Sequence, residues 1–133
     1  MRKIIFWISA SAALIISQIA MAETVKIGFV TTLTGGAGAI GNDMRDAVEL
    51  ALDHLGRKMG GSDVKIFYED DTFKPDVGKQ KTEKLVKKDK VHFVTGYIWS
   101  HVLLASRNSV VGKGPFMITS NACLLYTSPS PRD

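Results

Sequence analysis

Apolar and polar residues recur along this chain with two different periods, and the switches between them mark out the elements. Val25 to Val30 (VKIGFV) is a short apolar run with β-branched residues, as a buried strand requires. A glycine-rich loop, Thr31 to Gly41, follows. From there the spacing becomes helical: Met44, Ala47, Val48, Ala51 and Leu55 form one apolar stripe. Asn42 can cap that helix through its side-chain oxygen, Asp53 and Arg57 can pair on its outer side, and Gly60-Gly61 ends it. Val64 to Tyr68 (VKIFY) reads as a second strand, followed by the acidic turn Glu69-Asp70-Asp71. A second helix starts near Pro75, where a missing N–H costs nothing, and Gly78, Thr82 and Leu85 share its face. Val91 to Tyr97 is a third strand and Ser100 to Ser109 a third helix, with Val102, Leu103 and Ser106 on one side. Gly114-Pro115 then breaks the chain before a fourth strand, Phe116 to Thr119. The order β-α-β-α-β-α-β predicts an α/β fold, a parallel sheet covered by helices on both faces and joined by right-handed crossovers.

The two ends follow other patterns. Arg2 and Lys3 precede Ile4 to Ile16, an uncharged stretch of thirteen residues, and Ala20-Met21-Ala22 supplies the small-x-small site of a signal peptidase. The apolar run falls short of the roughly 20 residues that span a bilayer, so residues 1–22 read as a cleaved export signal rather than an anchor. No cysteine stands beside the cut to take a lipid. The expected mature chain starts near Glu23 and works outside the cytoplasm. Residues 123–133 (CLLYTSPSPRD) hold the single cysteine and two of the four prolines without any periodicity. This string resembles a translated transposase adapter from sequencing-library preparation, the alternative being a Pro/Ser-rich disordered end. The adapter reading makes Ala122 the last natural residue, leaves residues 23–122 as the first part of a longer domain, and gives Cys123 no redox or metal role.

Charge removes one class of partner. The chain carries 17 Lys and Arg against 13 Asp and Glu, but residues 23–122 hold 14 against 12, a balance that points to no nucleic acid. Lys79, Lys81, Lys84, Lys87, Lys88 and Lys90 cluster on or just after the second helix. Lys84 and Lys87 lie opposite its apolar face and read as solvated. One cysteine excludes an intrachain disulfide framework.

Two segments stand out as candidate sites. Gly36-Ala37-Gly38-Ala39-Ile40-Gly41 fits G-x-G-x-x-G. Its first glycine, however, lies five residues beyond Thr31, whereas a dinucleotide site needs a tight turn directly off the strand, and an exported protein meets no routine supply of NAD. The glycines read instead as letting a loop pass close to a ligand or to neighbouring backbone. Gly96 to His101 (GYIWSH) is the better site, because ligands of open parallel sheets bind at the carboxyl ends of strands. Ser100 can cap the third helix, and the N–H groups after it form a positive pole suited to a carboxylate; the plainer reading is a cap alone. Trp99 can stack on an apolar ligand or pack under the loop. Ser100 and His101 are helix neighbours that do not face each other, and no nucleophile elbow surrounds them. His54, His92 and His101 lack metal-ligand spacing, and Asp70-Asp71 reads as a turn. No catalytic residue, cofactor or metal is expected.

Taken in order, VKIGFVTTLTGGAGAIGNDMRDAVELALDHLGRKMGG, YEDD, PDVGKQKTEKLV, VTGYIWS and GPFMITSNA resemble the N-terminal part of a periplasmic substrate-binding protein of the leucine/isoleucine/valine-binding type, over essentially all of residues 23–122. The resemblance implies the start of the first of two α/β lobes that close over a small ligand. Such proteins deliver amino acids, amides or small carboxylic acids, aromatic ones included, to an ABC permease in the inner membrane without chemical change. It also implies site residues. Ile40 falls where a side chain lines the apolar wall of the pocket. Ser100 falls where a hydroxyl and adjacent backbone N–H bind the ligand carboxylate. Asn121 and Ala122 fall in a backbone stretch of the same carboxylate site, and the Thr usual just beyond is replaced by Cys123. Trp99 stands where branched-chain amino-acid binders have a small residue, which puts leucine in question and, with Ile40, leaves room for an aromatic or otherwise flat acid. The same lobe used in a sensory receptor is the alternative, and an exported α/β enzyme a weaker one.

Overall fold

Residues 23–119, 121 and 122 are described by a computed structural model. The expected signal (1–22) and tail (123–133) lie outside the described residues. β1 (Val25–Thr31), α1 (Gly38–His54), β2 (Lys58–Met59), β3 (Ser62–Asp70), α2 (Pro75–Lys84), β4 (Phe93–Thr95), α3 (Ser100–Arg107) and β5 (Phe116–Met117) follow one another, and a π-helical turn, Leu85–Asp89, extends α2. The sheet order is β2-β3-β1-β4-β5, with β1 parallel to β3 and β4, and β4 parallel to β5. The α/β alternation is therefore as predicted.

One strand was not. β2 pairs antiparallel with β3, so the sheet is mixed. Gly60 (φ 57°) and Gly61 (φ 86°) take the two left-handed positions of a tight hairpin turn rather than ending a helix. α1 stops earlier, at His54, and the chain leaves it through Gly56 (φ 60°) and Arg57 (φ 55°).

α1 also begins earlier than Asn42. A Cβ on Gly38 would stand 2.7 Å from the Leu33 carbonyl oxygen, and one on Gly41 would run into the Thr32 carbonyl, so these glycines let the helix start against the end of β1. Their close approach is to neighbouring backbone. Asn42 lies inside the helix and donates from Nδ2 to the carbonyls of Leu33 (3.0 Å) and Gly38 (2.8 Å), fastening helix to loop instead of capping it. The inward face is rotated from the expected stripe: Gly41 and Leu52 are buried, Met44 and Val48 half-buried, and Ala47, Ala51 and Leu55 exposed. The cause is polar. Tyr68 on β3 donates to Glu49 Oε1 at 2.7 Å, turning a carboxylate toward the sheet. Asp53 and Arg57 pair at 2.8 Å, as expected.

Strand alternation separates the two sheet faces. Val30 and Val94 point into the core, which Leu85, Val102, Leu103 and Val110 complete and against which Met117 packs. Gly78, Thr82, Leu85, Val102, Leu103 and Ser106 are buried, as their spacing predicted. On the opposite face Ile27, Phe93, Thr95 and Ile118, with Met59, line an apolar hollow of about 240 Å³. The lysine face is less simple than expected. Lys87 is exposed and pairs with Glu83, but Lys81 (2.9 Å) and Lys84 both ion-pair with Glu69, whose side chain is 7% exposed. Burial pushes the Glu69 carboxyl up, and the two ammonium groups more than reverse this.

The α2–α3 crossing depends on Gly78, because a Cβ there would collide with Val102 Cγ1. Gly78→Ala should destabilise the fold by roughly 1–3 kcal/mol through overpacking. Gly36→Ala, with nothing within 4 Å of its Cβ, should change stability by less than about 0.5 kcal/mol. Urea unfolding midpoints of the two variants check the contrast.

Candidate functional site

Because β1, β3, β4 and β5 are parallel, their carboxyl ends lie along one edge, where the loops to α1, α2 and α3 gather. Two adjacent carboxylates organise that edge. Asp70 Oδ1 accepts from the backbone N–H of Leu33 (2.9 Å) and of Thr72 (2.9 Å), and Oδ2 accepts from the Thr34 hydroxyl (2.6 Å). Asp71 is fully buried, and its Oδ1 accepts from the Thr32 hydroxyl (2.5 Å) and the Phe73 N–H (2.9 Å). The pair is thus more than a turn: it ties the β1–α1 loop to the β3–α2 loop. Burial raises the Asp70 carboxyl, but the hydrogen bonds from Thr34, Leu33 and Thr72 outweigh it and hold the group below the usual carboxylate range.

The tie continues to the third loop. Trp99 Nε1 donates to Thr32 Oγ1 at 3.1 Å, so the indole is held through Thr32 by the buried Asp71. Tyr97 is fully buried, with its hydroxyl 2.6 Å from Thr82 Oγ1, and burial pushes it up to about 12. Gly96 (φ 98°) makes the bend before it, and a Cβ there would press on the Phe29 ring at 2.7 Å. Phe73 stands edge-on to Trp99, ring centroids 4.7 Å apart, and to His101 at 5.1 Å. Thr34, Gly35, Gly36, Ala37, Thr72, Phe73 and Trp99 enclose a hollow of about 360 Å³. A larger groove of about 540 Å³, bordered by Lys79, Glu83, Lys87 and Lys113, lies away from this edge, between α2 and the end of α3.

Of the residues singled out from sequence, Trp99 lines the hollow. It both packs against the core and presents its ring at the edge. Ser100 opens α3 as its first helical residue, while the extended Trp99 (φ −107°, ψ 128°) occupies the cap position and no side chain caps the helix. The expected serine cap is therefore displaced by one residue, because the Trp99 carbonyl already accepts the first helical N–H, from Leu103 at 3.0 Å. Ile40 sits in the first turn of α1 and is 46% exposed. Asn121 is exposed and reaches Met44 Sδ at 3.7 Å, one turn beyond Ile40. Ala122 is buried; its N–H donates to the Tyr97 carbonyl at 3.3 Å and its own carbonyl accepts from Thr119 Oγ1 at 3.1 Å. Thr32 and Phe73 were missed, and Asp71 was read only as part of a turn. Consecutive aspartates whose carboxylates can accept the N–H two residues on carried the available signal.

A family model for periplasmic binding proteins matches residues 24–131. The chain belongs to the periplasmic binding protein family. It is 29% identical over 113 residues to the Leu/Ile/Val-binding protein BraC3 of Rhizobium johnstonii, covering 84% of this chain and 30% of that protein. An ABC transporter substrate-binding protein from Sphaerobacter thermophilus superposes with a TM-score of 0.74 at 32% identity, over 83% of this chain and 30% of that one. A solute-binding protein of an ABC transporter from Rhodopseudomonas palustris BisB5, in complex with 3,4-dihydroxybenzoic acid, gives 0.68 at 27% identity, over 74% and 27%. The chain thus spans about 30% of the length of these relatives. Its fold is that of a periplasmic binding protein lobe, in part.

Because the folded pKa of Asp70 lies below its unfolded value near 4, the carboxylate adds stability that is fully present above about pH 5 and lost as pH falls through the folded value. Asp70→Asn should cost roughly 1–3 kcal/mol at pH 7 and flatten the acid limb of the stability profile, read by urea unfolding at stepped pH.

Proposed function

We propose that the protein is the ligand-collecting component of an ABC importer, working in the periplasm, where it holds a small carboxylate and passes it unchanged to an inner-membrane permease. The observation that carries this reading is the start of α3 at the carboxyl edge. The positive end of that helix lies at the edge, its first turn carries no acidic side chain, and the Trp99 indole is anchored beside it. In this reading Ser100 and the adjacent N–H groups receive the ligand carboxylate, Trp99 faces its apolar body, and Ile40 extends the apolar wall. Asn121 contributes backbone to the carboxylate end, and Ala122, whose own N–H and carbonyl are taken by Tyr97 and Thr119, fixes that stretch in place. Family membership supports the binding role, and the signal-like residues 1–22 support export. The Leu/Ile/Val-binding and dihydroxybenzoate-bound relatives support a small carboxylate, aliphatic or aromatic.

A thermal-shift screen of the protein expressed in full from its native gene tests this with amino acids, amides and benzoates, since a ligand raises stability as ln(1 + [L]/Kd). At least one carboxylate is expected to raise the melting temperature, and Ser100→Ala to weaken it by roughly 1–3 kcal/mol, or about 5- to 150-fold in Kd. Unchanged affinity in that variant would remove Ser100 from the site. The absence of any carboxylate ligand at millimolar concentration would remove the function.

A further inference from the structure

We propose that Phe73 is a specificity-determining residue that selects a planar aromatic carboxylate over an aliphatic one, an inference that rests on the carboxylate-binding reading above. Phe73 is 48% exposed, although it is a large apolar side chain on a short loop. It is also held in an unfavourable backbone state. Thr72 (φ 48°) and Phe73 (φ 64°) are successive residues in the left-handed region, which L side chains, and a β-branched one above all, avoid. The surrounding structure imposes that state. Asp70 Oδ1 takes the Thr72 N–H, buried Asp71 Oδ1 takes the Phe73 N–H, and the Asp71 carbonyl takes the Lys74 N–H, each at 2.9 Å. Strain that is over-determined by its surroundings, and that leaves an apolar ring in solvent, is a mark of function rather than of folding.

The ring's position indicates the function. Trp99 and His101 present rings 34° from parallel with centroids 6.4 Å apart, and Phe73 stands nearly perpendicular to both, at 87° and 82°. Phe73 and Trp99 form one side of the 360 Å³ hollow, and Gly35 and Gly36 on the opposite loop have no side chain to fill it. A flat ring entering there meets aromatic partners in the perpendicular or offset geometries that aromatic pairs prefer, with α3 starting one residue beyond Trp99 for its carboxylate. An aliphatic chain in the same space gains burial but no ring pairing.

Calorimetric titration of the protein expressed in full, with benzoate, 4-hydroxybenzoate and leucine as probes, tests this. Phe73→Leu should raise the Kd for the benzoates about three- to tenfold, the range of one aromatic pair, while Phe73→Tyr keeps them within about twofold of wild type. Any leucine binding should change less than twofold in Phe73→Leu. Benzoate affinity unchanged in Phe73→Leu, or lost equally in Phe73→Leu and Phe73→Tyr, overturns the inference, as does a wild-type protein that prefers leucine. That last result leaves the carboxylate reading standing; a wild type that binds none of the three probes overturns the inference, and the carboxylate reading falls with it only if the thermal-shift screen is empty as well.

Discussion

The buried carboxylate of Asp71 is the constraint on which the carboxyl edge of this sheet depends. Through Thr32 it reaches the Trp99 indole, and through the Phe73 N–H it fixes the turn after β3, so one side chain joins three loops that are far apart in sequence. A buried polar group that loses a hydrogen-bond partner is left with its desolvation cost unmet. Any of these loops that moves must therefore break a bond to a group that cannot find water. Asp70, beside it, repeats the arrangement for Leu33, Thr34 and Thr72 nearer the surface.

Close backbone approach does the rest. Gly41 lets α1 begin against Thr32, Gly78 lets α2 lie against α3, and Gly96 turns the chain past Phe29. Each contact excludes even a methyl group, so the helices and the ends of β1 and β4 are seated in one arrangement. The hollow between the first loop and Trp99 is consequently shaped by the fold itself. In the proposed carboxylate site, such preformation would leave less interaction energy to be spent on ordering loops.

The strands, helices and buried faces were legible where burial is one-sided. Gly78, Thr82 and Leu85, or Val102, Leu103 and Ser106, recur at helical spacing because one face meets the sheet and the other meets water. α1 was misread because its contact with β3 runs through Glu49 and Tyr68, which a hydrophobic pattern does not register. β2 escaped because two exposed residues, Lys58 and Met59, carry no alternation. Trp99 and Ser100 were visible as candidates through their place at a strand-to-helix junction. Phe73 was not, since a lone aromatic in a polar loop has no periodicity and its exposure follows from two left-handed residues that only the Asp70 and Asp71 hydrogen bonds explain.

The central claim is that the edge organised by Asp71 is one wall of a carboxylate site. A crystal structure of the protein expressed in full, grown with benzoate, tests it most directly. The account predicts the carboxylate within hydrogen-bond distance, about 2.7–3.2 Å, of Ser100 Oγ or the first N–H groups of α3, with the ring against Trp99 and Phe73. Benzoate bound instead in the lysine-lined groove between α2 and α3, or at the carboxyl edge with its ring turned away from Trp99, would contradict it.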